Sequence, residues 1–283
     1  MYDPEKEALM EFFAAQKQRP GDHGNGKDLF PEIAKLVQRH EKESILFWDL
    51  ETIGLLPSKN APYSRQVGIV QISVVEVSID GDLSWKINTI VNPEARIPVE
   101  ASNVHGIYDK DVVDAPRFIE LADRIKEFFE NEKTCLCGYN SRSFDEKYLQ
   151  AVYLRHKIPP VKYLHTLDAR DFWTKTMKTN KGKLTETAAY YGAVAGRAHD
   201  SSGDVLTLVR TVEKMIERHG LEDFVSKCAL VRPDQEIAKN EKAPPQGKRT
   251  VSLDMFWDDP LGLYPRKDLS PPGPNIPTDR GER

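Results

Sequence analysis

Cysteine is scarce in this chain. Three occur in 283 residues, Cys135, Cys137 and Cys228, with no C-x-x-C spacing. So sparse and odd a set argues against a disulfide framework or a thiolate metal clip. Cys135 and Cys137, two apart, read as same-face residues of a strand in a reduced, cytoplasmic protein. Long apolar runs are also missing, and Met1–Lys6 does not begin a basic region followed by an apolar core. The expectation is therefore a protein neither inserted in a membrane nor exported. Nor is there a basic excess, since the formal net charge is -4. Overall charge does not announce a nucleic-acid partner, although the acids of an active site can mask a local basic groove.

What is present is a patterned α/β chain, long enough for one large domain with extensions. Helix-spaced apolar residues over 4–18 and 29–42 flank the break Pro20-Gly21-Asp22-His23-Gly24-Asn25-Gly26, which predicts a helical hairpin over 1–43. Strands are expected at 44–50, 66–77 and 84–91, the last two joined by the turn Ile79-Asp80-Gly81-Asp82, so the sheet opens antiparallel. Residues 93–114 show no period and read as a long ordered connection. Further on, strands at 134–139 and 163–167 alternate with helices at 116–130, 144–156, 169–177, 184–191 and 202–219, giving a mixed sheet with flanking helices. Nine of the nineteen prolines fall from Pro233 onward. The main domain is accordingly placed at 44–231 and a flexible, Pro-rich tail at 232–283.

Three stretches carry candidate chemistry. In Phe47-Trp48-Asp49-Leu50-Glu51-Thr52-Ile53-Gly54-Leu55, the period of two puts Asp49 and Glu51 on one face of a strand end. A hard divalent cation suits such a pair, while for the pair taken alone a solvated turn is the commoner explanation, so the cation reading depends on the rest of the chain. In Gly138-Tyr139-Asn140-Ser141-Arg142-Ser143-Phe144-Asp145, the acid falls at a strand–helix junction, where it either faces the first pair or merely favours the helix N-terminus. In Ala198-His199-Asp200-Ser201-Ser202-Gly203-Asp204, Asp204 has a capping-box explanation. His199 is set among carboxylates, where a histidine can take a proton from water.

D-x-E, then D, then H and D in this order resembles the DEDDh, or DnaQ-like, group of 3′-to-5′ exonucleases. Gly138-Tyr139-Asn140 followed by Phe144-Asp145-Glu146, and Ala198-His199-Asp200, are most similar to the nuclease domain of exonuclease I. The resemblance spans roughly 44–214. It implies a ribonuclease H-like fold and two-metal phosphodiester hydrolysis with Mg²⁺ or Mn²⁺. It further implies that Asp49 bridges both ions, that Glu51 and Asp204 hold the one carrying the attacking water, that Asp145 supports the other, and that His199 is the base. Thr52, Gly54, Leu55, Asn140 and Phe144 are the implied contacts to the terminal nucleotide, with core packing open for Leu55 and Phe144. Single-stranded DNA 3′ ends are the favoured substrate and RNA the alternative. The tail is too short and too polar to replace the further domains of exonuclease I, so processivity is not implied. Within it, Ser252-Leu253-Asp254-Met255-Phe256 resembles a sliding-clamp pentapeptide, with Leu253, Met255 and Phe256 as anchors. A clamp-associated proofreading or accessory role is the alternative from another class.

Overall fold

Strand β1, Ser44–Thr52, is the centre on which everything else is placed. In the computed structural model, described for residues 29–56, 67–193 and 199–228, it lies third in a five-stranded sheet ordered β3-β2-β1-β4-β5. Its neighbour β2 (Ile69–Ser78) runs antiparallel to it and β3 (Leu83–Ile90) antiparallel to β2, while β4 (Thr134–Gly138) runs parallel to β1 and β5 (Thr166–Asp168) parallel to β4. This is the ribonuclease H-like mixed sheet.

Alternation along β1 divides the protein into two layers. The odd residues Ile45 and Phe47 join Val75, Val77, Cys135 and Cys137 in one apolar cluster. The even residues Leu46, Trp48 and Leu50 join Ile72, Val74 and Leu136 in another. The first layer is covered by α1 (Pro31–Arg39), α5 (Ala169–Met177), α6 (Leu184–Tyr191), α7 (Ser201–His219) and α8 (Leu221–Lys227). The second is covered by α3 (Phe118–Phe129) and α4 (Asp145–Arg155), with the Trp48 ring set edge-on to Phe129 at 4.9 Å. All three cysteines are free and buried, and among the described residues no helix is long and apolar enough to cross a membrane.

Several expectations are revised. Residues 93–114 are not a plain connection: α2 (Val99–His105) and a short 3-10 turn, Asp109–Asp111, lie within them. Helix α2 follows Pro98 and stops at Gly106, whose φ of 77° suits a residue without a Cβ. Helix α8 is a further element beyond the predicted ones; it follows α7 after only Gly220. The helix predicted over 29–42 is the shorter α1, and its Ile33, Leu36 and Val37 are fully buried in the first cluster. The proposed helix over 4–18 and the tail from 232 lie outside the described residues.

Candidate active site

The odd row of β1 that begins with Ile45 and Phe47 continues as Asp49 and Glu51. The face that is core at one end of the strand therefore becomes acidic at the other, beneath α7. Asp49 pairs across β2 with Ser73, and Glu51 with Gln71. These two polar side chains grip the start of α7. The Ser73 and Ser201 hydroxyls are 2.6 Å apart, Gln71 Nε2 donates to Asp200 Oδ1 at 3.0 Å, and Gln71 Oε1 accepts from the Ser201 N–H at 3.3 Å. Asp200, not a serine, caps α7, accepting from both the backbone N–H and the hydroxyl of Ser202. The capping-box account of Asp204 accordingly fails. Its carboxylate instead accepts the backbone N–H of His199 at 3.1 Å, with His199 in the left-handed region at φ 60°.

This folding brings Asp49, Glu51 and Asp204 together, each offering an oxygen within 4.8 Å of the others. Asp145, the first residue of α4, reaches the same end of β1 from the other layer and is buried. Burial first, then the charges of Asp145, Glu51 and Asp204, raises the Asp49 carboxyl well above the usual range. Burial, with Asp204, Asp145 and Asp200, pushes Glu51 up to about 8. Asp145 is pushed up to about 7, chiefly by burial, and its own backbone N–H opposes the shift. Asp204 is also raised by burial, against the opposing pull of His199. Four carboxylates gathered at one partly buried end of the sheet are costly to keep ionised unless cations neutralise them. Oxygen donors at this separation fit a hard divalent cation.

The remaining predicted contacts lie at the end of β1 and in two loops at the same end of the sheet. Thr52 is nearly buried, its hydroxyl donating to the Gly54 carbonyl at 2.8 Å, while Leu55 is 82% exposed, so the core reading of Leu55 is wrong. Phe144 is half-buried against the second cluster, 5.4 Å from the Tyr148 ring. Asn140 has φ 66°; its N–H donates to Asp168 Oδ1 at 2.7 Å and its Oδ1 accepts from Arg170 at 3.1 Å. Gly138 makes this loop possible, because a Cβ there would fall 2.3 Å from that of Ser141. Leu253, Met255 and Phe256 lie outside the described residues.

Gln71, Ser73, Asp168 and His105 lie outside the three motif stretches, and Asp200, inside one of them, has no role assigned by it. His105 is buried beside Thr52 and His199, and burial lowers its pKa. Gln71 and Ser73 had a readable signal, as polar residues on a strand face that is otherwise core.

The model of the RNase T-type family, described as "Exonuclease", matches residues 46–212. The chain belongs to the DnaQ-like 3′-to-5′ exonuclease family. Its relatives include the DNA polymerase III subunit epsilon of Treponema pallidum, 24% identical over 65% of this chain and 81% of that protein. Another is the PolC-type DNA polymerase III of Streptococcus pneumoniae (D39), 24% identical over 74% of this chain but 14% of that protein. Among solved structures, E. coli exonuclease I bound to a dA16 oligonucleotide superposes with a TM-score of 0.55, at 17% identity over 65% of this chain and 43% of that one. That likeness is one of fold.

Proposed function

We propose that this exonuclease removes nucleotides one at a time from the 3′ end of single-stranded DNA, releasing nucleoside 5′-monophosphates. The observation that carries the reading is the convergence of Asp49, Glu51 and Asp204 to within 4.8 Å, with Asp145 and His199 at their margin. In this reading Asp49, Glu51 and Asp204 hold divalent cations and Asp145 completes the set. Bound cations supply neutralisation of the scissile phosphate and acidification of water. His199 is exposed and takes the proton of the attacking water at its imidazole. Asp204 accepts the His199 backbone N–H and so ties the base to the acids. Asp168 and Arg170 hold Asn140, and Thr52, Gly54 and Leu55 offer the surface for the terminal nucleotide. DNA is favoured over RNA by the polymerase and exonuclease I relatives.

The test is a 3′-recession assay on labelled single-stranded DNA, duplex DNA and RNA with Mg²⁺ or Mn²⁺. Stepwise shortening of single-stranded DNA is expected; intact oligomers in a metal-replete preparation refute the reading. The likeness to polymerase epsilon subunits favours a second reading, proofreading beside a polymerase through a clamp. Preferential removal of mismatched primer ends, together with clamp binding lost on Leu253→Ala/Phe256→Ala, would support it over the first.

A further inference from the structure

Within 175–183 stand Lys175, Lys178, Lys181 and Lys183 with no acid between them, in a chain of net charge -4. Lys35, Lys133 and Lys214 each pair with a carboxylate. No such pair exists for Lys178, Lys181 or Lys183 among the described residues, and all three are exposed. The loop that carries them is nonetheless fastened firmly. Three consecutive carbonyls are pinned by side-chain donors: Asn180 by Arg170 at 2.7 Å, Lys181 by the Trp173 indole at 3.0 Å, and Gly182 by the Tyr139 hydroxyl at 3.3 Å. Gly182 takes φ 139°, and a Cβ there would meet Trp173 Nε1 at 2.2 Å. Crowding unpaired like charges on a held backbone is unfavourable by itself and becomes favourable against a polyanion.

The loop also connects to the acid site. The Arg170 guanidinium that holds Asn180 donates through its other nitrogen to Asn140 Oδ1 at 3.1 Å, and Asn140 opens the loop leading to Asp145. We propose that Lys178, Lys181 and Lys183 form a phosphate rail, which holds the backbone of the nucleic-acid strand leading away from its 3′ end. The inference rests on the reading of the acid site as a nuclease and names where the rest of the substrate lies.

The test is anisotropy of a fluorescein-labelled oligothymidylate, with Ca²⁺ in place of Mg²⁺, as a function of salt. Each phosphate contact on a single strand contributes about 0.7 to the slope of log affinity against log salt. Lys178→Gln/Lys181→Gln/Lys183→Gln therefore lowers the slope by about 2, and a fourfold rise in salt costs the wild type about 20-fold more affinity than it costs the variant. The corresponding triple arginine variant keeps the wild-type slope. Lys35→Gln/Lys133→Gln/Lys214→Gln, with the same change in net charge, also keeps it. An unchanged slope in the loop variant, or an equal fall in the charge-matched control, overturns the proposal. If the slopes behave as expected while oligomers stay intact in Mg²⁺, the nuclease reading falls and the rail stands.

Discussion

Glu51→Gln is expected to stabilise the metal-free protein at alkaline pH while disabling the metal site. In the folded protein the Glu51 carboxyl is pushed up to about 8, against an ordinary value of 4.5. A folded pKa above the unfolded one means that the protonated side chain contributes stability below about pH 4.5, and that this is lost as pH rises to about 8. The difference between about 8 and 4.5 corresponds to at most about 5 kcal/mol. Glu51 is half-buried, and solvent screening brings the expected loss to about 2–3 kcal/mol. Glutamine cannot ionise, so it avoids the loss. At about 2–4 °C per kcal/mol, the chelated variant should melt roughly 5–10 °C above chelated wild type at pH 8, with little difference at pH 5. Saturating Mg²⁺ should shift the comparison toward wild type, whose carboxylates bind the ion and gain stability by mass action. Melting curves at the two pH values, in EDTA and in Mg²⁺, measure all of this. A variant-to-wild-type difference in EDTA that is the same at pH 5 and pH 8 would refute the assignment of Glu51 to a strained acid cluster.

His199→Ala should cut turnover about 10²–10⁴-fold and leave Mn²⁺ affinity by calorimetry nearly unchanged, whereas Asp49→Ala should reduce both. Equal loss of metal affinity in the two variants would contradict the division of roles. Ser73→Ala leaves the buried Ser201 hydroxyl without its partner, costing about 1–3 kcal/mol. Because Ser201 begins the helix that carries Asp204, Mn²⁺ affinity should fall as well, and an unaltered affinity would uncouple β2 from the site. Gly138→Ala forces Ser141 away from a 2.3 Å contact and should cost about 1–3 kcal/mol of stability. It should also lower kcat/KM by shifting Asp145. A variant with wild-type kinetics would show that the loop absorbs the change.

The main strands and long helices were legible because burial patterned them. Residues 169–177 and 184–191 form helices with those bounds, and Cys135 and Cys137 do share a face of β4. Helix α2 was hidden because it is one short run whose buried residues, Ser102 and His105, are polar, so no apolar period announces it. Asp204 was legible as an acid in a motif but not in its local bonding. Its partner, the His199 N–H, depends on a left-handed backbone at a residue that is not glycine. Gln71 and Ser73 stand 129 and 128 positions from the side chains they hold, and no local pattern reports contacts at that separation.

The mixed sheet explains why the acids meet at all. Period-two alternation carries Asp49 and Glu51 on the same row as Ile45 and Phe47, so the core of the first layer fixes their direction. Had β1 shifted by one residue against β2, Ser73 and Gln71 would no longer face them. Asp204 comes down from α7 on that same face. Asp145 comes from α4 on the opposite face, and it reaches the cluster only because β4 runs parallel to β1, which places the start of α4 at the end of β1 that bears the acids. The parallel half of the sheet thus supplies one acid from the second layer, and the antiparallel half supplies the serine and glutamine that seat the helix of another. Neither half alone assembles the four.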